Sequence, residues 1–328
     1  MPIASVAKSR VAYIAEQTYG SIPATPVWQE LGRTTGGLRT KKTTAVSDEI
    51  HADRNVRDEF MVGQDVEGSY GFELKPGAFD DLIAGAFRGA WVNDALINGV
   101  LEPSFSFEET IFEAGTPYYS RFAGVMISTL SLAIASRQVI KGTIGLMGQK
   151  EVLDAVALTG ATYTPSPTTD SIKAHQIGSL TIAGITTPPI VKTLNFNLSN
   201  NLRIRDAVGT LYSQQFGDGQ ADITGTIDAY FADNSLYQQV LNHGGGALSC
   251  FIGTGNAGHG YVLAMPNLVF LDGSKVLGGK NDDVMVSIPF RARFDAGIGA
   301  SARLTRNVSG SGTANFGDPT NSGLIAGV

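Results

Sequence analysis

Between Asp222 and Leu241 the chain reads DITGTIDAYFADNSLYQQVL, and the first ten residues alternate. Ile223, Gly225, Ile227, Ala229 and Phe231 fall on one face, and Asp222, Thr224, Thr226, Asp228 and Tyr230 on the other. Period-two alternation of this length, rich in β-branched and aromatic types, predicts a half-buried strand. Asp233-Asn234-Ser235 then offers capping oxygens, and Leu236, Tyr237, Val240 and Leu241 recur at the spacing of a short amphipathic helix.

The same unit stands earlier. In Asp65–Leu74 (DVEGSYGFEL), Val66, Gly68, Tyr70, Phe72 and Leu74 point inward, and Asp65, Glu67, Ser69 and Glu73 outward. Lys75-Pro76-Gly77 leads into Phe79, Leu82, Ile83 and Ala86, again at helical spacing. The two strands superimpose without a gap when shifted by 157 residues, which reads as an internal duplication. Leu38–Val46 and Val191–Leu198 occupy matching places before them, and Lys141–Met147 and Asp283–Phe294 matching places after them. Phe105–Glu113, Tyr118–Val125, Met126–Ile134 and Tyr261–Leu271 are further strands.

This order predicts a mainly β chain of two tandem, related β-sandwich or barrel domains, each with a short flanking helix. Residues 1–30 form an N-terminal arm, 31–150 the first domain and 151–190 a Pro/Thr/Ser-rich linker with a possible strand at 179–185. Residues 191–296 form the second domain and 297–328 a turn-rich, loose extension. The arm carries Tyr13, Tyr19 and Trp28, which either pack on their own domain or lie on another surface.

Two connections are longer than a compact domain needs, which marks them for function. Ser47–Gly63 is dense in both signs of charge and holds Asp48, Glu49, His51, Asp53, Arg54, Arg57, Asp58, Glu59 and Phe60. Ser199–Gly219 holds Arg203 and Arg205. Each is a solvated loop or a docking surface.

Composition narrows the function. Among 328 residues, 43% hydrophobic and 16% charged with 40 glycines, the pattern is globular and suits short strands joined by turns. A net charge of −6 disfavours a general nucleic-acid binder. One cysteine, Cys250, excludes an internal disulfide and any multi-thiolate metal site, and its apolar run Ala247–Ile252 predicts a buried thiol. The N-terminus lacks the apolar core of a signal peptide, and no apolar run approaches a membrane span.

Catalytic signals are sparse. Gly253–Gly258 is a literal G-x-G-x-x-G, but a dinucleotide site needs a helix there, and the chain continues in a strand pattern to Pro266. The four histidines have no zinc spacing, and no nucleophile elbow or P-loop is present, so no catalytic, cofactor or metal residues are assigned. Asp80-Asp81 and Asp282-Asp283 read as solvated caps or turns.

A duplicated, acidic, motif-free β protein with an aromatic arm and two long loops has the profile of an assembling subunit. Two similar domains in each of three chains give a pseudo-sixfold ring, and stacked rings give a tube. The runs TYGSIPATPVWQELG, SDEIHADRNVRDEFMVG, DVEGSYGFELKPGAFDDLI, GTIDAYFADNSLYQQVLN and NDDVMVSIPFRARFD resemble the larger, two-domain kind of major tail tube protein of long-tailed bacteriophages, over residues 10 to 296. The resemblance implies a structural virion protein of stacked rings, assembled in the host cytoplasm, around a channel for genome delivery. It also implies that the arm and the first loop join subunits or rings, with tail tip or baseplate, tape measure and tail terminator proteins as partners. Trimeric rings are favoured and hexamers stay open. An assembling β protein of another origin, a secretion-tube or surface adhesin subunit, is the alternative.

DNA passing through such a channel must not be held by many phosphate contacts, so a neutral or acidic wall is expected. Asp65, Glu67, Glu73, Asp222 and Asp228, on the outward faces of the two alternating strands, are candidates for that lining or for an ordinary solvated face.

Overall fold

The computed structural model describes residues 3–113, 115–182, 185, 189–253 and 259–306. In chain order the first half holds β1 (Ser9–Ala15), β2 (Val27–Glu30), β3 (Arg33–Val46), β4 (Glu59–Glu73), helix α1 (Asp80–Phe87), β5 (Ala95–Ile97), β6 (Phe105–Glu113), β7 (Thr116–Ala135), β8 (Lys141–Gly148), β9 (Lys150–Asp154) and β10 (Thr162–Thr164). The second half holds β11 (Ile177–Ile182), β12 (Val191–Ser199), β13 (Arg203–Arg205), β14 (Gln215–Gly217), β15 (Asp222–Tyr230), helix α2 (Ser235–Leu241), β16 (Gly245–Gly253), β17 (Gly260–Phe270), β18 (Ser274–Val276), β19 (Met285–Ala292) and β20 (Arg303–Arg306). The chain is mainly β, as the alternation predicts.

The alternating strands bury the faces expected of them. Val66, Tyr70 and Phe72 of β4 and Ile223, Ile227 and Ala229 of β15 are all buried, with the polar positions between them half-exposed. Both strands sit in equivalent surroundings. β4 lies between β3 and β8, with Tyr70 opposite Gly36 and Ile144. β15 lies between β12 and β19, with Ile227 opposite Leu194 and Ile288. Gly68 and Gly225, equivalent under the 157-residue shift, share one steric demand. A Cβ on Gly68 would stand 2.2 Å from the Gly37 carbonyl oxygen, and one on Gly225 would stand 2.2 Å from that of Asn195. These registers align Ile144 with Ile288, two residues on from the alignment of Ile144 with Val286 that the sequence pattern suggests.

One strand joins the two layers. β7 runs for 20 residues, and its first part pairs with β6 and β9 while its second part pairs with β8 and β12. The change of sheet falls at Gly124, whose φ of +66° suits glycine. The sequence pattern breaks at the same place, between Tyr118–Val125 and Met126–Ile134. Beyond it, β12 pairs directly with β7 from Thr193–Ala135 to Ser199–Thr129. A continuous sheet therefore runs β3-β4-β8-β7-β12-β15-β19 through both halves, with β18 and the end of β17 both pairing along the far side of β19.

The core follows the sheet. Phe87 of α1 stacks on Phe196 of β12 at 6.3 Å, and Ile83 and Phe87 sit with Leu130, Phe196, Ile252 and Tyr261. The buried residues of both halves form one cluster rather than two separate cores. The expected boundaries at 31–150 and 191–296 do not divide this cluster.

Three expected appendages are woven in. β1 pairs with β6 along its whole length, and β2 bridges β1 and β10, so the N-terminal segment puts two strands into a sheet. The linker supplies β9, β10 and β11, the last pairing with β16. In the expected loose extension, β20 pairs with both β17 and β5. Its Arg306 donates to Asp80 at 3.0 Å and Asp94 at 2.8 Å and lies over the Trp91 ring. Asp80 also accepts from Tyr261, so it ties the halves together instead of being a solvated cap. The glycine-rich GSGTANFGDPTNSG lies outside the described residues.

Candidate assembly surfaces

Strand geometry makes the outward face of the continuous sheet a single surface, because the side-chain period is two and the registers carry through. Asp65, Glu67 and Glu73 on β4, Lys141, Thr143 and Gly145 on β8, and Thr129, Ser131 and Ala133 on β7 share that face. So do Thr193, Asn195 and Asn197 on β12, Asp222, Thr224, Thr226 and Asp228 on β15, and Ser287 and Arg291 on β19. Its middle strands, β7 and β12, present no charged side chain. The five predicted carboxylates lie towards its two ends, on β4 and β15.

Those carboxylates are engaged by neighbours. Glu67 accepts from Lys41 Nζ at 2.8 Å and Arg39 at 2.7 Å, and these bonds hold its carboxyl below the usual glutamate range. Asp222 pairs with Arg291 at 3.0 Å. Asp228 accepts from Ser287 at 2.6 Å and from Thr193. Glu73 accepts from Ser171 at 2.8 Å, and Asp65 from the backbone and hydroxyl of Ser213. Hydroxyl donors leave the charge in place, but Arg39, Lys41, Lys141 and Arg291 share the face with these five carboxylates, so the surface is close to neutral rather than strongly acidic.

The first long connection is the tip of a protruding hairpin. β3 and β4 stay paired to Val46–Glu59, whereas β8 leaves β4 at Val66–Gly148, so the last turns of the hairpin overhang the sheet. Asp48, Glu49, Arg54, Arg57, Asp58 and Phe60 are exposed and His51 is half-exposed. Arg57 pairs with Asp53, and His51 with Glu49. Ile50 is 98% exposed and Val56 71%, so the tip mixes charge with unburied apolar surface.

The second long connection behaves differently. β13 and β14 form a small hairpin that folds back onto the base of the first one, where Gln64 N donates to Leu211 O and Gln149 donates to Ser213 O. Phe216 is fully buried, and Asn200 donates to the carbonyls of Ala86 and Ile127. Arg88, at the left-handed C-cap of α1, pairs with Asp218 at 2.8 Å. Burial dominates that pair, raising the carboxyl of Asp218 and lowering the guanidinium of Arg88. Arg203 and Arg205 remain exposed, but their loop is a buttress within the chain rather than a free docking arm. The sequence shows its length and charge and not its anchors, which are scattered polar residues: Asp65 on β4, Arg88 at the end of α1 and Gln149 between β8 and β9.

The arm anchors are also internal. Tyr13 packs against Phe105 and Phe107, and Trp28 is fully buried. Tyr19 is half-buried, with burial the main cause raising its phenol. Beside them lies a polar network that sequence reasoning misses. Glu108, fully buried, accepts from Arg121 at 2.9 Å and Tyr163 at 2.6 Å, and Arg10 lies over the Tyr163 ring. The alternation Ser106-Glu108-Thr110 reads as a solvated face, but the covering strand β10 closes over it.

Among the described residues, no group of three or more His, Cys, Asp or Glu is placed to hold a metal, and no helix is long and apolar enough to cross a membrane. Gly253 pairs directly with Gly260 across β16 and β17, so the glycine run joins two strands; residues 254–258 themselves lie outside the described ones. Cys250 is buried, and desolvation pushes its thiol up to about 12.

A protein of this build is a structural β subunit, with a broad neutral sheet face and a projecting hairpin. The family model for phage tail tube proteins matches residues 6–292, and the chain belongs to that family. It is accordingly a structural protein of the virion tail. No curated protein matches the chain.

Proposed function

We propose that the chain polymerises into stacked rings of three copies, and that the continuous polar face lines a channel for genome delivery. The observation that carries this is the seven-stranded face shared by both halves. It is wider than the usual sheet of about four to six strands, and its neutral centre offers DNA phosphates no array of cations to bind.

Strand counting favours three copies. With β18 included, each subunit contributes eight strands to this sheet. Three copies side by side give 24 strands, which at about 4.8 Å spacing and a tilt near 40° close into a barrel about 45–50 Å across at the backbone. Six copies would give about twice that width. Among the described residues β3 pairs only with β4; beyond Leu38, whose N–H donates to Glu109, its outer edge has no strand partner and offers a place for a neighbouring copy, which would also remove an edge-strand hazard. The two halves, with equivalent strand pairings, supply the pseudo-sixfold repeat.

The β3–β4 hairpin projects from this sheet along its strands, where it reaches the next ring. Deleting Ile50–Glu59 should leave a folded, soluble subunit that no longer makes long tubes; negative-stain microscopy tests this, and long tubes from the deletion would remove the hairpin from ring stacking.

A further inference from the structure

The hairpin tip and a basic cleft lie at opposite ends of the same strand, and we propose that they are the two halves of one head-to-tail joint. In this joint the tip of each subunit seats in the cleft of a second copy in the next ring. The proposal rests on the tube reading and adds the receptor to it.

The cleft has a volume of about 610 Å³ and lies where the turn between β7 and β8 meets the segment before β11. Ala174 N donates to Gln138 O, and Val139 bridges to Lys173, so its two walls are held together by backbone. Arg137, Lys173 and His175 line it as exposed groups, with Val139 and Ala174 half-buried at its floor. Neither Arg137 nor Lys173, nor Lys192 beside the turn, has an ion-pair partner among the described residues. The carboxylate nearest in sequence is Asp170.

The tip is its chemical complement. Ser47–Glu59 carries five carboxylates against two guanidiniums, with Ile50 and Val56 exposed beside them. Unpaired cations with a small apolar floor at one end therefore meet net negative charge with apolar side chains at the other. Such complementarity fixes register and orientation in an interface.

Placement supports the same pairing. β4 begins at the tip with Glu59 and ends at the cleft, where Leu74 N donates to Ile140 O. Its 15 residues span about 45–50 Å at roughly 3.3 Å each. A copy translated along the strand by about this length presents its cleft to the tip of the first. A contact between two different surfaces repeats without limit, as a tube requires.

Ile50→Cys combined with Ala174→Cys in the full chain tests the joint directly, because buried Cys250 contributes little background. Mild oxidation of assembled tubes should give a ladder of covalent multimers on a non-reducing gel, collapsing to monomer with reductant. Co-assembly of the two single variants should stop at dimer. In parallel, Arg137→Glu with Lys173→Glu should cut tube yield at least tenfold, and adding Asp48→Lys with Glu49→Lys to that chain should restore it. Normal tubes that yield only monomer on the gel, with full tube yield from the charge-reversed cleft, would overturn the joint and leave the tube standing. Unmodified protein that forms neither rings nor tubes would overturn the reading beneath it.

Discussion

Gly68 and Gly225 show how one residue position can hold two hairpins together. Each lies where a partner strand's carbonyl leaves no room for a methyl group. Gly225→Ala must push β12 away from β15 and should destabilise the subunit by about 1–3 kcal/mol, read as a lower denaturation midpoint. Glu108→Ala removes one of the two carboxylates that hold buried Arg121, leaving Asp154, and also strips the acceptor from Tyr163; it should cost about 1–3 kcal/mol in urea unfolding of the unassembled subunit. Glu67 is a surface counterpart whose effect depends on pH. Its carboxyl is depressed by Lys41 and Arg39, so the stability it contributes is present above its unfolded value, 4.5, and lost as pH falls through the folded one. Glu67→Gln should therefore lower stability by about 0.5–1 kcal/mol at pH 7 and by progressively less as pH falls below 4.5, measured by unfolding across that range.

At the scale of elements, alternation makes β4, β15 and β19 legible in the sequence, because one face of each is apolar without interruption. The helices α1 and α2 are legible from their spacing, although α1 is the more deeply held. Four of its apolar side chains and Gly85 are buried, whereas α2 buries only Leu236. The N-terminal segment is misjudged for a physical reason. Its prolines and few apolar residues suggest an arm, while its strand β1 gains its place by pairing with β6, a partner about 95 residues away. Removing Met1–Thr25 should therefore strip β1, expose Phe105 and Phe107, and give insoluble protein. A soluble, folded product by circular dichroism would show that β1 is dispensable. The buried Glu108 network and the anchored Ser199–Gly219 loop escape sequence reasoning likewise, since a polar face reads as solvated until its cover is known.

At the scale of the molecule, the union of the strands into one sheet is not visible in the sequence. Nothing local in Thr193–Ser199 or Thr129–Ala135 specifies that they pair, yet that pairing converts two similar halves into one wide face. The width of the face, its neutral middle strands and the open edge of β3 all bear on the channel. The most direct measurement is cryo-electron microscopy of tubes assembled from the purified protein. Rings of three subunits with Thr143, Asn195 and Asn197 on the inner wall are the predicted result; tubes that carry these side chains on the outer wall would contradict it.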